Sequence, residues 1–492
     1  MLQRRLAAAK LSFQDLAEQT RQEIAEKYLA NLSLSIAEVS YLLGYSEPSA
    51  LHRAFKRWKG MTPQEFRGGV EALRILLRRA YNKPFAFLRS SPAMSKSTQT
   101  SYELQLARRM SRLGTETAFE VLNKARALER QGKSVVHLEI GEPDFNTPSN
   151  VVEAAVDALH KGWTHYGPSA GLPDLRQALA EYVSRTRGVK VSSDEVVVVP
   201  GGKPIIFFTI LSLIDEGDEV IYPNPGFPIY ESMIQYVGGR AVPIALREER
   251  DFALDVNELE SLINDRTKLI IINSPQNPTG GVLPRRDIEQ IAKVIGDRNI
   301  MILSDEIYSR LLFDGGQHFS IMSVLGMQER TILLDGFSKT YAMTGWRMGY
   351  GVMRADLAAH MTRLMTNSNS CTASFTQMAG IEAIRGDQSS VDHMRDEFQR
   401  RRDVFVAGLN KIKGFSCRLP KGAFYVFPNI TGTGWKSKPL ADALLEQAGV
   451  AALSGTSFGA FGEGYLRFSV ANSLENLQLA LDRIDHWTQK NL

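Results

Sequence analysis

The sequence predicts an α/β domain with a mainly parallel sheet, preceded by a short all-α segment. From about Tyr102 to the C-terminus, apolar strand-like runs alternate with helical patterns, which is typical of βα units that build a parallel sheet. Residues 14–67 instead have the pattern of short helices joined by tight turns. A chain of 492 residues, 43% of them hydrophobic, is long enough for more than one folding unit and at least one large core.

Composition and charge narrow the class of protein. Only two cysteines occur, Cys371 and Cys417, without a CxxC pair, so neither a disulfide framework nor a thiolate zinc site is predicted. No window has the apolar length of a membrane span, and the N-terminus MLQRRLAAAK leads into a charged helical pattern rather than a signal core. We therefore expect a reducing, cytoplasmic location. The basic excess lies in residues 1–93, which carry 15 Lys and Arg against 8 Asp and Glu.

The stretch LSIAEVSYLLGYSEPSALHRAFKRWKGMTP predicts a helix-turn-helix. Ser35 is a candidate N-cap for a helix over residues 36–43, Gly44 ends that helix, and Ser46 with Pro48 starts another that runs to about Lys59. The second helix places four basic side chains largely on one side, which suits contacts to phosphates and bases: His52, Arg53, Lys56 and Arg57.

Residues 1–69 resemble part of the DNA-binding domain of AraC-type transcription regulators, through LQRRLAAAKLSFQ and LSIAEVSYLLGYSEPSALHRAFKRWKGMTPQEFR. That domain carries two helix-turn-helix units, and here the chain begins near the end of the first recognition helix, so half of the DNA-reading surface is expected to be missing. We favour a truncated remnant, or upstream sequence translated before a start at Met94, over functional DNA binding, because one basic helix pair binds DNA weakly. Residues 70–101 are predicted to be a linker.

Five apolar runs in the α/β region each end in polar or glycine-rich residues. EVVVV leads to PGGKP, EVI to YPNPGF, KLIII to NSPQNPTG, IMIL to SDEIY and TILL to DGFSK. Ligands of open parallel sheets bind beyond the carboxyl ends of the strands, so these five loops are predicted to converge on one site.

The loop residues point to one cofactor. Lys339 is an amine at a strand end, where it can form a Schiff base with an aldehyde if its ammonium form is disfavoured. Arg347 offers a fixed fork for a phosphate, and Gly201 and Gly202 precede the apolar helix KPIIFFTILSLI, whose N-terminus attracts an anion. A phosphate and an aldehyde together indicate pyridoxal phosphate.

Four further residues fit this cofactor. Asp305 can keep a pyridine nitrogen protonated, Tyr308 and Asn277 can bond the ring oxygen, and Phe227 can stack on the ring face. Each has an ordinary alternative, since a strand-end Asp is more often a helix cap, a Pro-Gly cluster a turn and a Phe part of the core. Their joint occurrence at strand ends favours the functional interpretation.

Residues from about 104 to 490 resemble class I/II aminotransferases, which are fold-type I pyridoxal phosphate enzymes. The resemblance rests on LEIGEPDFNTP, HYGPSAGLPDLR, PGGKP, NSPQNPTGG, SDEIYSRLLFDG, GFSKTYAMTGWRMGY, PKGAFYVFPNI and YLRFSV. It implies a large domain over about 145–375 with a mainly parallel sheet, and a smaller α+β domain from about 102–144 and 376–492. It also implies a homodimer with shared active sites.

The resemblance implies a role for each matching residue. Lys339 corresponds to the lysine that binds the cofactor and moves a proton, Asp305 to the partner of the pyridine nitrogen, and Asn277 with Tyr308 to the pair on the ring oxygen. The implied phosphate contacts are Gly202, Lys203, Ser338, Arg347 and, from the neighbouring subunit, Tyr166. Phe227 takes the ring-stacking position, and Arg467 grips the substrate α-carboxylate with Gly141 and Asn277. Gly336 departs from the pattern, because many relatives have a phosphate-binding serine there.

The predicted reaction is transfer of an amino group from an L-amino acid to a 2-oxo acid, with 2-oxoglutarate as the expected acceptor and ping-pong kinetics. The sequence identifies no basic residue for a second substrate carboxylate, and GAFYVF suggests apolar surroundings for the substrate side chain. Two alternatives remain open. One is β-elimination from a sulfur amino acid by a C–S lyase, and the other is a transcription regulator whose aminotransferase-like domain senses a ligand. A full set of catalytic residues argues against the regulator.

Overall fold

The computed structural model describes residues 104–492 and, nearer the N-terminus, residues 22, 24–26, 28–29, 35–43, 45 and 47–68. The chain divides into two compact units, Met1–Glu103 and Leu104–Leu492. The predicted linker over residues 70–101 and the predicted start at Met94 lie outside the described residues, as do Gly44 and Ser46 of the predicted turn.

The first unit contains the two helices that the sequence predicts. Helix α1 spans Ile36–Leu42 and helix α2 spans Pro48–Lys59. Pro48 occupies the first turn of α2, where a missing N–H costs nothing, and Gly60 ends the helix in the left-handed conformation at φ 73°. A small apolar core holds the unit together and comprises Ala25, Leu29, Val39, Leu43, Leu51 and Phe55. On α2, His52 is half-buried while Arg53, Lys56 and Arg57 are exposed.

The second unit alternates helices and strands along most of its length. Its helices are α3 (Ala118–Glu129), α4 (Ser149–His160), α5 (Pro173–Arg187), α6 (Lys203–Leu213), α7 (Ile229–Val237), α8 (Val256–Leu262), α9 (Arg285–Ile295), α10 (Phe337–Thr340), α11 (Ala355–Ser368), α12 (Ser374–Arg385), α13 (Ser389–Leu409), α14 (Ser437–Ala443) and α15 (Leu474–Asn491). Its strands are β1 (Val136–His137), β2 (Val196–Val199), β3 (Glu219–Asn224), β4 (Arg240–Ala245), β5 (Thr267–Asn273), β6 (Met301–Asp305), β7 (Thr331–Gly336), β8 (Gly349–Val352), β9 (Tyr425–Val426), β10 (Val450–Ala451), β11 (Leu453–Ser454) and β12 (Leu466–Ser469). Among the described residues, no helix is both long and apolar enough to cross a bilayer.

A seven-stranded sheet forms the centre of this unit, in the order β2-β8-β7-β6-β5-β3-β4. Strand β8 runs antiparallel to both of its neighbours, and the other pairs are parallel. The five apolar runs singled out in the sequence become β2, β3, β5, β6 and β7, so their carboxyl ends lie at one edge of the sheet. This confirms the prediction of a mainly parallel sheet.

Strands β4 and β8 were not predicted from the sequence. Strand β4, RAVPIA, lies at the edge of the sheet and includes a proline, which is tolerated there because an edge strand leaves N–H groups unpaired. Strand β8, GYGV, contains two glycines in four residues. Gly349 needs no side chain because a Cβ there would lie 2.8 Å from the backbone of Gly201 and Gly202.

Two smaller sheets lie outside the central one. Strands β1 and β10 pair in parallel, and β11, β12 and β9 form an antiparallel sheet in the order β11-β12-β9. A separate hydrophobic cluster joins Val136 and Leu138 to side chains between Met394 and Trp487. The same cluster includes Tyr308, which follows β6. The division into a large domain over 145–375 and a small domain over 102–144 and 376–492 stays a prediction.

Candidate active site

A cavity of about 350 Å³ opens at the carboxyl ends of the central strands. Its lining includes all but one of the residues to which the family resemblance assigns a role: Gly141, Gly202, Lys203, Phe227, Asn277, Asp305, Tyr308, Ser338, Lys339, Arg347 and Arg467. The exception is Tyr166, whose surface is 89% exposed and which lies outside this lining. Residues from both ends of the second unit therefore meet around one space.

Lys339 lies on the one-turn helix α10, directly after β7. Its Nζ donates a hydrogen bond to the carbonyl oxygen of Gly141 and lies 5.6 Å from the ring centroid of Phe424. Burial lowers the pKa of Lys339 to about 8, and the positive charges of Arg467 and Arg347 lower it further. The carboxylates of Glu142 and Glu116 have the opposite effect on this pKa. A lysine with this pKa supplies a much larger neutral, nucleophilic fraction near neutral pH than an ordinary surface lysine.

Asp305 ends β6 between two parallel neighbours, opposite Asn273 of β5 and Leu334 of β7. Its Oδ2 accepts a hydrogen bond of 2.6 Å from the Tyr230 hydroxyl, and its Oδ1 accepts one of 3.3 Å from the Ile307 N–H. Burial raises the pKa of Asp305 to about 6 in spite of these donors. Both hydrogen-bond donors to Asp305 are neutral, so no cation in direct contact offsets its charge. Such a carboxylate is suited to bind a cationic N–H group of a ligand.

Tyr230 is a site residue that the sequence reasoning did not name. It lies in the quoted stretch YPNPGFPIY and is fully buried on α7. The rings of Phe227 and Tyr230 pack edge to face with their centroids 5.7 Å apart, and both residues line the cavity. Phe227 lies two residues before α7 and Tyr230 is the second residue of that helix. A second aromatic three residues from the predicted ring-stacking residue is the signal that could have identified Tyr230.

Hydrogen bonds connect Asp305 to Arg467 through two asparagines. Asn273 Nδ2 donates to the Asp305 carbonyl at 3.1 Å, and the Asn277 N–H donates to Asn273 Oδ1 at 3.0 Å. Arg467 Nη1 donates to Asn277 Oδ1 at 3.4 Å. The chain of bonds fixes Asn277 between the carboxylate end of the cavity and its most buried cation.

Arg467 is a buried cation that is only partly satisfied. Its Nη2 donates to the carbonyl oxygen of Glu139, and its guanidinium lies 4.5 Å from the ring centroid of Tyr425 and 5.0 Å from that of Phe458. Its Nε is buried without a hydrogen-bond partner among the described residues. Because a buried guanidinium without a carboxylate is costly, this arrangement favours an anionic ligand.

Tyr308 is joined to a second tyrosine that the sequence reasoning missed. The hydroxyls of Tyr308 and Tyr425 lie 2.8 Å apart, and both side chains are buried. Tyr425 belongs to GAFYVF, from which apolar surroundings are predicted, but its hydroxyl brings a polar group to the cavity. A Cβ at Gly141 would collide with that hydroxyl, so glycine is required where Lys339 and Tyr425 converge.

The opposite end of the cavity offers donors for a phosphate. Gly202 caps α6, Ser338 lies in the first turn of α10, and both line the cavity. Arg347 adopts φ +54° and donates to the Thr344 carbonyl at 2.8 Å. A Cβ at Gly201 would overlap the Arg347 guanidinium, so the glycine leaves room for that side chain.

Lys203 and Gly336 add two details to this end. The Lys203 ammonium forms an ion pair with Glu116, a cavity residue that the sequence reasoning did not name. A Cβ at Gly336 would lie 3.0 Å from the Cα of Gly349, which is tighter than ordinary van der Waals contact. The close approach of β8 to β7 therefore favours glycine at position 336, and this position contributes no side-chain contact to the phosphate.

These residues fit pyridoxal phosphate. The cavity combines an amine with a lowered pKa, a buried carboxylate without a cation in direct contact, a partly unsatisfied guanidinium and a helix N-terminus beside Arg347. The two cations at opposite ends match two anionic groups, the cofactor phosphate and a substrate carboxylate.

The family model of aminotransferase class I and II matches residues 133–484. The chain therefore belongs to the class I and II aminotransferase family, and its cofactor is pyridoxal 5′-phosphate. A helix-turn-helix domain model matches residues 1–69. Both resemblances seen in the sequence are thus confirmed.

Known aminotransferases are similar to this chain over most of its length. An aspartate aminotransferase of Pyrococcus horikoshii is 42% identical over 368 residues, which cover 74% of this chain and 93% of the relative. The aromatic-amino-acid aminotransferase 2 of Thermococcus litoralis is 39% identical over 72% of this chain and 91% of its own length. The structure of aspartate aminotransferase from Thermus thermophilus with maleate has a TM-score of 0.75 at 37% identity, covering 78% of this chain and all of that one.

Proposed function

We propose that the protein transfers the amino group of an L-amino acid to 2-oxoglutarate by a ping-pong mechanism, with the cavity residues in the roles given below. The observation that carries this proposal is the placement of Lys339, Asp305 and Arg467 in one cavity. An amine, a carboxylate and a carboxylate-binding guanidinium are the groups that the chemistry needs. The acidic and aromatic substrates named in the relatives' descriptions support an amino acid donor.

Bound pyridoxal phosphate supplies an aldehyde for an amine and a ring that stabilises negative charge on the substrate α-carbon. Lys339 Nζ would hold the cofactor through its aldehyde group and, as a free amine, would accept the proton of the substrate α-carbon and donate a proton to C4′ of the cofactor. The lowered pKa of Lys339 suits both directions of proton transfer. Asp305 would accept a hydrogen bond from the ring N–H of the cofactor and keep that nitrogen protonated.

The remaining residues bind and orient. Arg467 binds the substrate α-carboxylate, which supplies the partner that its buried Nε lacks, and Asn277 orients that guanidinium. Tyr308 and Asn277 would bond the ring oxygen, and Phe227 would pack on the ring face. The N–H groups of Gly202, Lys203 and Ser338 bind the phosphate together with Arg347.

Tyr166 reaches the phosphate of a neighbouring subunit in this proposal. It is 89% exposed, and apolar side chains of the preceding helix α4 and of the turn after that helix are exposed as well: Val156 46%, Leu159 45% and Trp163 37%. An apolar surface of this kind is typical of a protein interface, which supports a homodimer with shared sites.

Mixed subunits test the shared site. A Lys339→Ala subunit keeps Tyr166, and a Tyr166→Phe subunit keeps Lys339, so a heterodimer of the two contains one complete site if Tyr166 acts across the interface. We expect unfolding and co-refolding of the mixture to give more activity than the same amount of either variant gives by itself. A mixture no more active than its Tyr166→Phe component would contradict the cross-subunit role.

The donor is tested by following the visible absorbance of the bound cofactor while single amino acids are added without an acceptor. We expect a few amino acids to convert the aldehyde form to the aminated form, and 2-oxoglutarate to reverse the change. If no amino acid converts the bound cofactor, the proposed transfer is wrong. Production of pyruvate, ammonium and homocysteine from cystathionine without an oxo acid would instead support the C–S lyase alternative.

DNA binding is a second candidate function, for residues 1–69, favoured by the exposed Arg53, Lys56 and Arg57 on α2. Salt-dependent, sequence-selective binding by the full chain, lost in a Lys56→Glu/Arg57→Glu variant, would support it. Equally weak DNA binding by the full chain and by this variant would favour the interpretation of residues 1–69 as a truncated remnant.

A further inference from the structure

The ion pair between Lys203 and Glu116 lies at the wall of the cavity. The cavity lining in the described residues contains four basic side chains, Lys203, Lys339, Arg347 and Arg467. The proposed function gives the last three to the cofactor and to the substrate α-carboxylate. Lys203 contributes its backbone N–H to the phosphate site, which leaves its ammonium group for another partner, and that partner in this structure is Glu116.

The position of Glu116 is fixed by the segment that precedes α3. The Gly114 N–H donates to Ser232 Oγ at 2.9 Å, and Arg112 Nε donates to the Gln235 carbonyl at 2.8 Å. Both contacts attach this segment to α7, the helix that carries Tyr230. Glu116 is therefore held over the cavity although it is far from Lys203 in sequence.

Glu116 is electrostatically close to the reacting groups. Burial dominates the lowered pKa values of both Lys339 and Arg467, and the Glu116 carboxylate opposes that effect at each of them. The side chain of Glu116 is 19% exposed and that of Lys203 is 44% exposed, so either group can exchange its partner without leaving a charge fully buried.

A ping-pong transferase must accept two different substrates in one cavity, one after the other. If Lys203 had no counter-ion, an uncharged substrate side chain would leave its ammonium without an anionic partner, with the cation–π contact to Phe227 at 5.7 Å from the ring centroid as partial compensation. If Lys203 were absent, the side-chain carboxylate of an acidic substrate would lack a cation.

We propose that Glu116 is a specificity-determining residue that acts as the exchangeable counter-ion of Lys203. With an uncharged substrate side chain, Lys203 stays paired with Glu116. With a dicarboxylic substrate, the second carboxylate takes the place of Glu116 on Lys203, and Glu116 turns to solvent. The inference rests on the proposed function, since it assumes that the substrate side chain lies in this part of the cavity.

The test compares acidic and uncharged substrates in matched variants of the full-length enzyme with its cofactor. In Glu116→Gln, a carboxylate no longer competes for Lys203, so we expect the ratio of kcat/KM for aspartate to kcat/KM for phenylalanine to rise about tenfold. Glu120→Gln is the control, because Glu120 lies only four residues further on, is exposed in the first turn of α3 and does not line the cavity. Glu116→Ser serves as a second variant that removes the same charge.

A double-mutant cycle shows whether the effect acts through Lys203. In a Lys203→Gln background, we expect Glu116→Gln to leave the substrate ratio unchanged. An unchanged ratio in both single Glu116 variants would overturn the inference, and so would an equal rise with and without Lys203.

Binding of non-reacting acids separates this inference from the proposed function. Succinate and butanoate differ by one carboxylate, and their affinities for the holoenzyme can be measured by titration calorimetry. We expect Glu116→Gln to tighten succinate binding about tenfold and to leave butanoate unchanged. Equal shifts for both acids would contradict the counter-ion role even if transamination occurs, whereas a selective shift without transamination would contradict only the proposed function.

Discussion

Two neighbouring carboxylates at the end of β6 lie in regions of opposite character. Asp305 lines the cavity and accepts hydrogen bonds from a neutral tyrosine and a backbone N–H. Glu306 lies in a buried polar cluster, where it accepts from Arg187 Nε at 2.8 Å and has His318 Nε2 at 2.7 Å. The hydroxyls of Ser304 and Ser320 also donate to it.

The pKa values of the two groups move in opposite directions. Burial raises the pKa of Asp305 to about 6. Burial alone would also raise the pKa of Glu306. The positive charges of His318 and Arg187 and the hydrogen bonds from His318 and Ser320 instead hold this pKa well below its usual range. A buried carboxylate that the protein compensates is structural, whereas one left without a cation is available to a ligand.

Among the substitutions that test this contrast, Lys339→Ala in the cavity is expected to have the largest effect on turnover. Lys339→Ala removes both the amine that holds the cofactor and the group that moves the proton, so we expect turnover to fall by at least about 10⁴-fold. The visible absorption band of the lysine-bound cofactor should disappear. A variant that keeps this band and full turnover would contradict the assignment.

Asp305→Asn should separate activity from stability. We expect kcat to fall on the order of 10³-fold, because a neutral amide cannot keep the ring nitrogen protonated. The free energy of unfolding of the cofactor-free protein at pH 7 should be unchanged or slightly higher, since burial disfavours the ionised Asp305 that the substitution removes. Activity near that of the wild type would show that Asp305 does not act on the cofactor.

Glu306→Gln should have the reverse pattern. Arg187 also donates to Asp335 Oδ2 at 3.3 Å, but it would lose its shorter ion pair in an environment where both side chains are almost fully buried. We expect the free energy of unfolding to fall by about 3 kcal/mol, with a much smaller effect on kcat than in Asp305→Asn. Chemical denaturation and steady-state kinetics of the two variants side by side measure this contrast. A larger loss of kcat than of stability would remove the distinction between the two carboxylates.

The smallest expected effect is a shift in pH dependence. A lysine captures an aldehyde through its neutral amine, and burial lowers the pKa of Lys339 from 10.5 to about 8. The rate of cofactor capture by the cofactor-free protein should therefore rise as the pH rises through about 8 and level off above it. Rapid-mixing absorbance from pH 6 to pH 10 would show this midpoint, and a rate still rising at pH 10 would contradict it.

The strand-end residues could be predicted from the sequence because each lies within five residues of the end of an apolar run. Lys339, Asp305 and Asn277 are of this kind. The compensating partners could not be predicted, because they come from distant parts of the chain: Arg187 lies 119 residues before Glu306, and Glu116 lies 87 residues before Lys203. Tyr425 could not be predicted for a different reason, because the position of a tyrosine in an apolar run does not indicate where its hydroxyl lies.

The most direct test of the central claim follows the amino group itself. The purified full-length chain is incubated with an ¹⁵N-labelled amino acid that converts its bound cofactor, together with 2-oxoglutarate, and the products are analysed by mass spectrometry. We predict that the label appears in glutamate in an amount equal to the 2-oxo acid formed from the donor. Label released as free ammonium, with no labelled glutamate, would contradict amino-group transfer.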